Sequence, residues 1–165
     1  MIVADSSPVI ILSKCGALDI FKKCFGKLII PAGVYNEISL KHGSPEIISV
    51  ENAIKSKWLV VQKIEVLPEL DTQNIGQGEK ESISLALNHK CILIIDDDHA
   101  KTYASIFGVE AHGTLYVLYL ACLRGFIKSE RAIMILENMI SHGFYVSPRL
   151  YVMFIDLLKS ARRNL

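Results

Sequence analysis

Ile92-Leu93-Ile94-Ile95-Asp96-Asp97-Asp98 is the stretch whose reading decides the fold. Four branched apolar residues in a row make a strand covered on both faces, which is how strands of a parallel sheet read. Three acids follow at its carboxyl end. Upstream, Glu79 to His89 carries Ile83, Ala86 and Leu87 at helical spacing. Downstream, Ala100 to Phe107 reads as a helix closed by Gly108, and Val109 to Ala111 as a short strand. Strand and helix therefore alternate around this segment, and the same alternation runs through the rest of the chain.

At the amino end, Ile2 to Ala4 is a short strand. Ser7 then reads as an N-cap, with Pro8 at the first helical position, and the helix runs through Cys15 to Gly16. Ala17 to Phe25 is a second helix stopped by Gly26, and Lys27 to Ile30 a second strand. Pro31 opens another helix through Val34 and Ile38. Pro45 to Trp58 reads as helical and Leu59 to Val66 as extended. Leu67 to Gly78, with Pro68 and two glycines, reads as a loop. Three helices close the chain, at Thr114 to Leu123, Ser129 to Ser141 and Pro148 to Arg163. This order predicts an α/β fold, a central parallel sheet flanked by helices, with a C-terminal helical hairpin. The expected division is a body over residues 1–125 and a helical extension over 126–165 packed on it as one structural unit.

Composition narrows the classes. The chain has 165 residues, 51% of them hydrophobic and 21% charged, which excludes a disordered or low-complexity protein. The longest apolar run, Leu115 to Leu123, is too short to span a bilayer. Met1 to Asp5 shows no basic leader region, so a cytoplasmic protein with no membrane association is expected. Cysteines at 15, 24, 91 and 122 form no C-x-x-C pair, and the histidines at 42, 89, 99, 112 and 142 are scattered, which leaves zinc and thiol chemistry without support. The formal net charge is +1, but from Leu120 onward seven basic residues (Arg124, Lys128, Arg131, Arg149, Lys159, Arg162, Arg163) face three acidic ones. A mildly acidic body with a basic tail suits an acidic site beside a polyanion-binding surface, and equally an ordinary solvated helix end.

Two acidic positions stand out. Asp5 directly follows the first strand, and Asp96 to Asp98 follow the strand at Ile92. In an open parallel sheet the ligand crevice lies beyond the carboxyl ends of the strands. Carboxylates gathered there repel one another unless a cation compensates, and carboxylates are the ligands that Mg²⁺ and Mn²⁺ prefer. The competing explanation is helix capping, since acids at helix N-termini are favoured by the macrodipole.

The motifs now resemble a family. V-A-D-S-S-P-V-I-I-L-S-K at 3–14, I-I-P-A-G-V-Y-N-E-I at 29–38, G-Q-G-E-K-E-S-I-S-L-A-L at 76–87 and I-L-I-I-D-D-D-H-A-K at 92–101 resemble, in order and spacing, the acidic motifs of PIN domains. The double Asp, the G-E-x-E form and the tail H-G-F-Y-V-S-P-R-L-Y at 142–151 resemble the DUF3368-type subgroup, akin to VapC-like toxin nucleases. The resemblance implies a Rossmann-like nuclease fold and a Mg²⁺- or Mn²⁺-dependent single-strand endoribonuclease, a phosphodiester hydrolase that is the toxin of a toxin–antitoxin pair. It implies an acid cluster of Asp5, Glu37, Glu81 and Asp97, with Asp96 as a further metal ligand beside Asp97 and Glu79 as a rival of Glu81. Metal held there would activate water for in-line attack on RNA.

The sequence departs from the commoner toxin pattern at Glu81, where Asp is usual, and at Ile95, where a hydroxyl residue is usual. The rival class is a non-catalytic interaction module with the same fold, bound by a small antitoxin-like protein. A receiver-like phosphoacceptor is disfavoured, because Ser6 and Ser7 stand where a second acid would be needed.

Three further features are read in the same way. Tyr116 and Tyr119 on an apolar helix, and Trp58 near Lys55 and Lys57, read as packing residues before base-stacking ones. Lys101 reads as a solvated lysine or a phosphate contact. On the last helix, Leu150, Phe154, Leu157 and Leu158 form one stripe, widened by Tyr151 and Ile155. That apolar surface exceeds what one neighbouring helix covers, and a homodimer is expected.

Overall fold

The computed structural model describes residues 1–40 and 43–161. His42, Arg162 and Arg163 lie outside the described residues. Five short strands, β1 (Ile2–Ala4), β2 (Leu28–Pro31), β3 (Leu59–Gln62), β4 (Leu93–Ile94) and β5 (Ala111–His112), form one sheet in the order β3-β2-β1-β4-β5. Every neighbouring pair is parallel. The chain builds outward from β1 through β2 to β3, then returns to the other side of β1 for β4 and β5. The order reverses between β1 and β4, and the carboxyl ends of these two strands flank the crevice that such a switch creates.

Alternation along the strands sends side chains to two cores. Ile2, Ala4, Leu28, Ile30, Leu59 and Ile94 point to one face. There they meet α1 (Ser6–Lys14), α2 (Asp19–Phe25), α3 (Ala32–Ser39), α4 (Pro45–Lys55), α8 (Thr114–Leu123), α9 (Ser129–Ser141) and α10 (Pro148–Ala161). Val3, Ile29, Leu93 and Ile95 point to the other face, against α5 (Pro68–Asp71), α6 (Gln77–His89) and α7 (Asp98–Ile106). Both faces are covered, which is why β4 contains no polar residue.

Some expectations shift. The helix after β1 begins at Ser6 with Asp5, not Ser7, in the N-cap position. The stretch expected to be a loop holds the short helix α5, opened by Pro68 and anchored by Leu70, which is fully buried. The fifth strand falls at Ala111–His112, one to two residues later than the pattern suggested.

Helix α8 is apolar on every side, and α2, α9 and α10 all pack on it. Helices α9 and α10 join the same core through Ala132, Ile135, Leu136, Met139, Phe154 and Leu158. The expected stripe on α10 is split. Phe154 and Leu158 are buried inward, while Leu150 and Leu157 stay exposed beside Met153. Among the described residues, no helix is long and apolar enough to cross a membrane.

Candidate functional site

Asp5 leaves β1 at the crevice and is only 5% exposed. It holds the N-cap position of α1, yet its side chain makes no capping hydrogen bond. Instead the Ser82 hydroxyl, reaching across from α6, donates to Asp5 Oδ1 at 3.2 Å. Burial pushes the Asp5 carboxyl up to about 7, and the charges of Glu79 and Glu37 push in the same direction. The Ser6 amide and the Ser82 hydroxyl both favour the ionised form, but burial outweighs them.

Glu37 projects from α3 toward the same place. A Cβ at Gly78 would lie 3.6 Å from both Asp5 Oδ1 and Glu37 Oε2, so the first turn of α6 runs in contact range of both carboxylates. Glu79 folds back to accept from the Gly76 amide at 2.6 Å, which closes the start of α6 while leaving its charge felt at Asp5.

Glu81 takes a different direction. It accepts from the Gly33 amide at 2.8 Å and from Gln77 Nε2 at 3.2 Å, and so ties α6 to the first turn of α3. A Cβ at Gly33 would sit 2.6 Å from Glu81 Oε2, so the contact as it stands requires glycine there.

The acids after β4 separate as well. Asp96 turns inward and accepts from the Thr114 amide at 2.7 Å and the Thr114 hydroxyl at 2.6 Å. Burial raises its pKa, against the lowering by these hydrogen bonds and by Lys101. Asp97 is exposed and caps α7, accepting from the Ala100 amide at 2.8 Å. Asp98 points to solvent and is held below the usual carboxylate range by its hydrogen bond from Lys101. Lys101 is neither free nor aimed at an open anion site, since its Nζ lies 3.0 Å from the Asp96 carbonyl oxygen and 2.9 Å from Asp98 Oδ1.

The structure thus draws Asp5, Glu37 and Glu79 into one electrostatic group, and gives Glu81, Asp96 and Asp97 separate partners within the chain. Ser82, Thr114 and Gly33, which sequence reasoning missed, fix the arrangement. Ser82 follows Glu81 inside the third motif and Gly33 lies inside the second, which is the signal the sequence offers for them; Thr114 lies outside every motif and carries none. A groove of about 530 Å³ adjoins Asp96, Asp98 and Lys101 and runs between α8 and α10 past Tyr116, Tyr119 and Phe144.

A sheet with its order reversing beside β1, an acid at the end of β1 and acids at the end of β4 is the arrangement the motifs resembled. The family model described as "DUF3368: PIN domain" matches residues 1–160. The chain belongs to the DUF3368 PIN-domain family. No curated protein sequence matches it. Among solved structures, the DUF3368 chain is similar in fold to a PilT N-terminus domain protein from the hyperthermophilic archaeon Sulfolobus solfataricus P2. The TM-score is 0.54 at 20% identity, over 71% of this chain and 90% of that one.

The family resemblance implies a divalent cation. The donors are chemically suitable, being hard carboxylate oxygens. Their placement is not: among the described residues, no group of three or more His, Cys, Asp or Glu side chains is disposed to hold a metal ion. Glu81, Asp96 and Asp97 each accept hydrogen bonds from the chain's own donors.

Proposed function

We propose that this PIN-fold chain acts as an interaction module whose acidic sheet edge receives a cationic segment of a small antitoxin-like partner protein. The observation that carries the reading is the division of labour among the acids. Glu81, Asp96 and Asp97 build the walls through their own backbone and hydroxyl partners. Asp5, Glu37 and Glu79 leave a surplus of negative charge, which adds to burial in raising the Asp5 carboxyl to about 7. A guanidinium or ammonium group placed there would relieve that repulsion without moving the wall residues. A short arginine-rich peptide serves as the probe. It should bind in a salt-sensitive manner, and Glu37→Gln combined with Glu79→Gln should weaken binding. Binding that ignores both salt and the double substitution contradicts the reading.

A second reading rests on the same Asp5–Glu37–Glu79 group and on the family: a Mg²⁺- or Mn²⁺-dependent single-strand endoribonuclease, the toxin of a toxin–antitoxin pair. It requires the wall acids to swing inward when metal and RNA arrive. Divalent-dependent cleavage of varied single-stranded RNAs, stopped by EDTA and by Asp5→Asn, would establish it over the first. The absence of cleavage at millimolar Mn²⁺, together with an unchanged melting temperature, would leave the interaction module standing.

A further inference from the structure

The groove between α8 and α10 lies beside the acidic edge but is lined by none of Asp5, Glu37 and Glu79. Its volume of about 530 Å³ falls in the range of small-molecule sites, and its walls are largely aromatic and aliphatic, as the walls of such sites are. Two features give it a chemical preference. The first is Tyr116. His112 stacks on its ring with centroids 3.9 Å apart and planes 12° from parallel, and His112 stays outside the groove that Tyr116 lines. A flat ring laid on the groove side of Tyr116 would continue that stack. Tyr119, one turn further along α8, and Phe144 line the same space.

The second feature is the polar end. Lys101 Nζ donates to the Asp96 carbonyl oxygen at 3.0 Å and to Asp98 Oδ1 at 2.9 Å, which uses two of its three protons. The Asp98 side chain is 92% exposed, so its carboxylate keeps acceptor capacity for a ligand. Side by side, these residues offer one donor and then two acceptor oxygens.

We infer that this groove binds a guanine nucleoside, with the base on Tyr116 and its Watson–Crick edge on Lys101 and Asp98. That edge reads acceptor, donor, donor (O6, N1–H, N2–H), the complement of Lys101 Nζ followed by the two Asp98 oxygens. The remaining Lys101 proton meets a neutral carbonyl, and the carboxylate takes a bidentate, charge-assisted pair. Adenine and cytosine would each set a ring-nitrogen acceptor against the carboxylate, and uracil has one donor between two acceptors. Stacking on Tyr116 adds affinity without choosing among bases, so selectivity falls to Asp98. The occupant is a free nucleoside and not an RNA strand. Among the described residues lining the groove, Lys101 is the one basic side chain, and Asp96 and Asp98 flank it, so the phosphates of a strand would meet no basic track. The inference does not rest on what binds at the Asp5 edge, since the base touches none of the acids there.

The test is isothermal titration calorimetry of the metal-free full chain, with circular dichroism to confirm folding of each variant. Guanosine should bind with a dissociation constant of about 1 mM or tighter, and adenosine about tenfold more weakly. Inosine keeps O6 and N1–H but lacks the N2 amine, and should fall between them. Asp98→Asn, at an exposed position, replaces an acceptor by a donor and should cost guanosine about tenfold, narrowing or reversing its advantage over adenosine. Tyr116→Leu should weaken all three nucleosides together. A guanine-centred RNA trinucleotide should bind no more tightly than guanosine. No binding of guanosine at millimolar concentration overturns the proposal, as do equal affinities for guanosine and adenosine or a folded Asp98→Asn chain that binds guanosine like wild type. A trinucleotide that binds about tenfold more tightly than guanosine overturns the nucleoside as occupant and puts an RNA strand in its place.

Discussion

Two acidic stretches follow two neighbouring strands of the same sheet, and they have opposite fates. Asp5, after β1, occupies a capping position but caps nothing; it is buried, held by Ser82 and pressed by two other carboxylates. Asp97, after β4, is exposed and does cap its helix, with a hydrogen bond from the Ala100 amide. Between them in character stands Asp96, half-buried and held by two hydrogen bonds from Thr114. The lesson is that position at a strand end does not decide whether an acid is structural or reserved for a ligand. What separates the two is burial and neighbouring charge: Asp5 is buried beside Glu37 and Glu79, and Asp97 is exposed.

Breaking the Asp5 side of the comparison should give the largest effect. Its folded-state carboxyl is raised to about 7 from an ordinary 3.8. Below the lower value both states are protonated and nothing is lost. As pH rises between the two values the unfolded chain releases its proton first, so folding stability falls, and it stays lower above 7. Asp5→Asn should remove that loss. Melting curves should show the variant more stable than wild type at pH 8, by up to a few kcal/mol, and nearly equal at pH 4. Equal pH profiles for the two chains would mean that burial does not hold the Asp5 carboxyl up.

Asp96→Ala comes next. It strands the amide and hydroxyl of the fully buried Thr114. Denaturant unfolding should show a loss of about 1–3 kcal/mol, the range for buried donors left unsatisfied. A loss near zero would mean that Asp96 is as dispensable to the wall as a solvent-facing acid.

Asp97→Ala should cost about 1 kcal/mol at neutral pH, the usual value of a lost N-cap, and Asp97→Ser should recover most of it. If Ser does not rescue stability, the capping role assigned to Asp97 is wrong. Smallest of all, Lys101→Met should cost about 0.5 kcal/mol or less in the same unfolding assay, because its ion pair with Asp98 is at the surface.

Much of the fold was legible in the sequence for a physical reason: apolar runs, glycine stops and proline starts are local signals. Strand Ile2–Ala4 and helices Thr114–Leu123 and Ser129–Ser141 fall where the pattern places them. The sheet's parallel character followed from the unbroken apolar run at Ile92. Helix α5 was hidden because four residues are too few to show a period, and its anchor Leu70 looks like any apolar residue in a loop. The split of the α10 stripe was hidden for another reason. Leu150, Phe154, Leu157 and Leu158 are alike in polarity, and only the position of α8 and α9 decides which of them face inward.

At the site, the sequence identified which residues were acidic and at which strand ends, but not their partners. Glu81 meets Gly33 across 48 residues, Asp96 meets Thr114 across 18, and Asp5 meets Ser82 across 77. No local spacing encodes such contacts. The choice between Asp96 and Asp97 turns on one residue at the end of a two-residue strand, where a single step reverses the direction of the side chain.

The contrast between Asp5 and Asp97 is open to one direct measurement, a carboxyl-carbon NMR titration of the metal-free chain with aspartate carboxyls resolved and Asp5 assigned by Asp5→Asn. The account predicts that Asp5 titrates with a midpoint near 7, far above the ordinary 3.8. A midpoint for Asp5 within the ordinary carboxylate range would contradict it, because burial and the negative charge at the sheet edge would then not hold the carboxyl up.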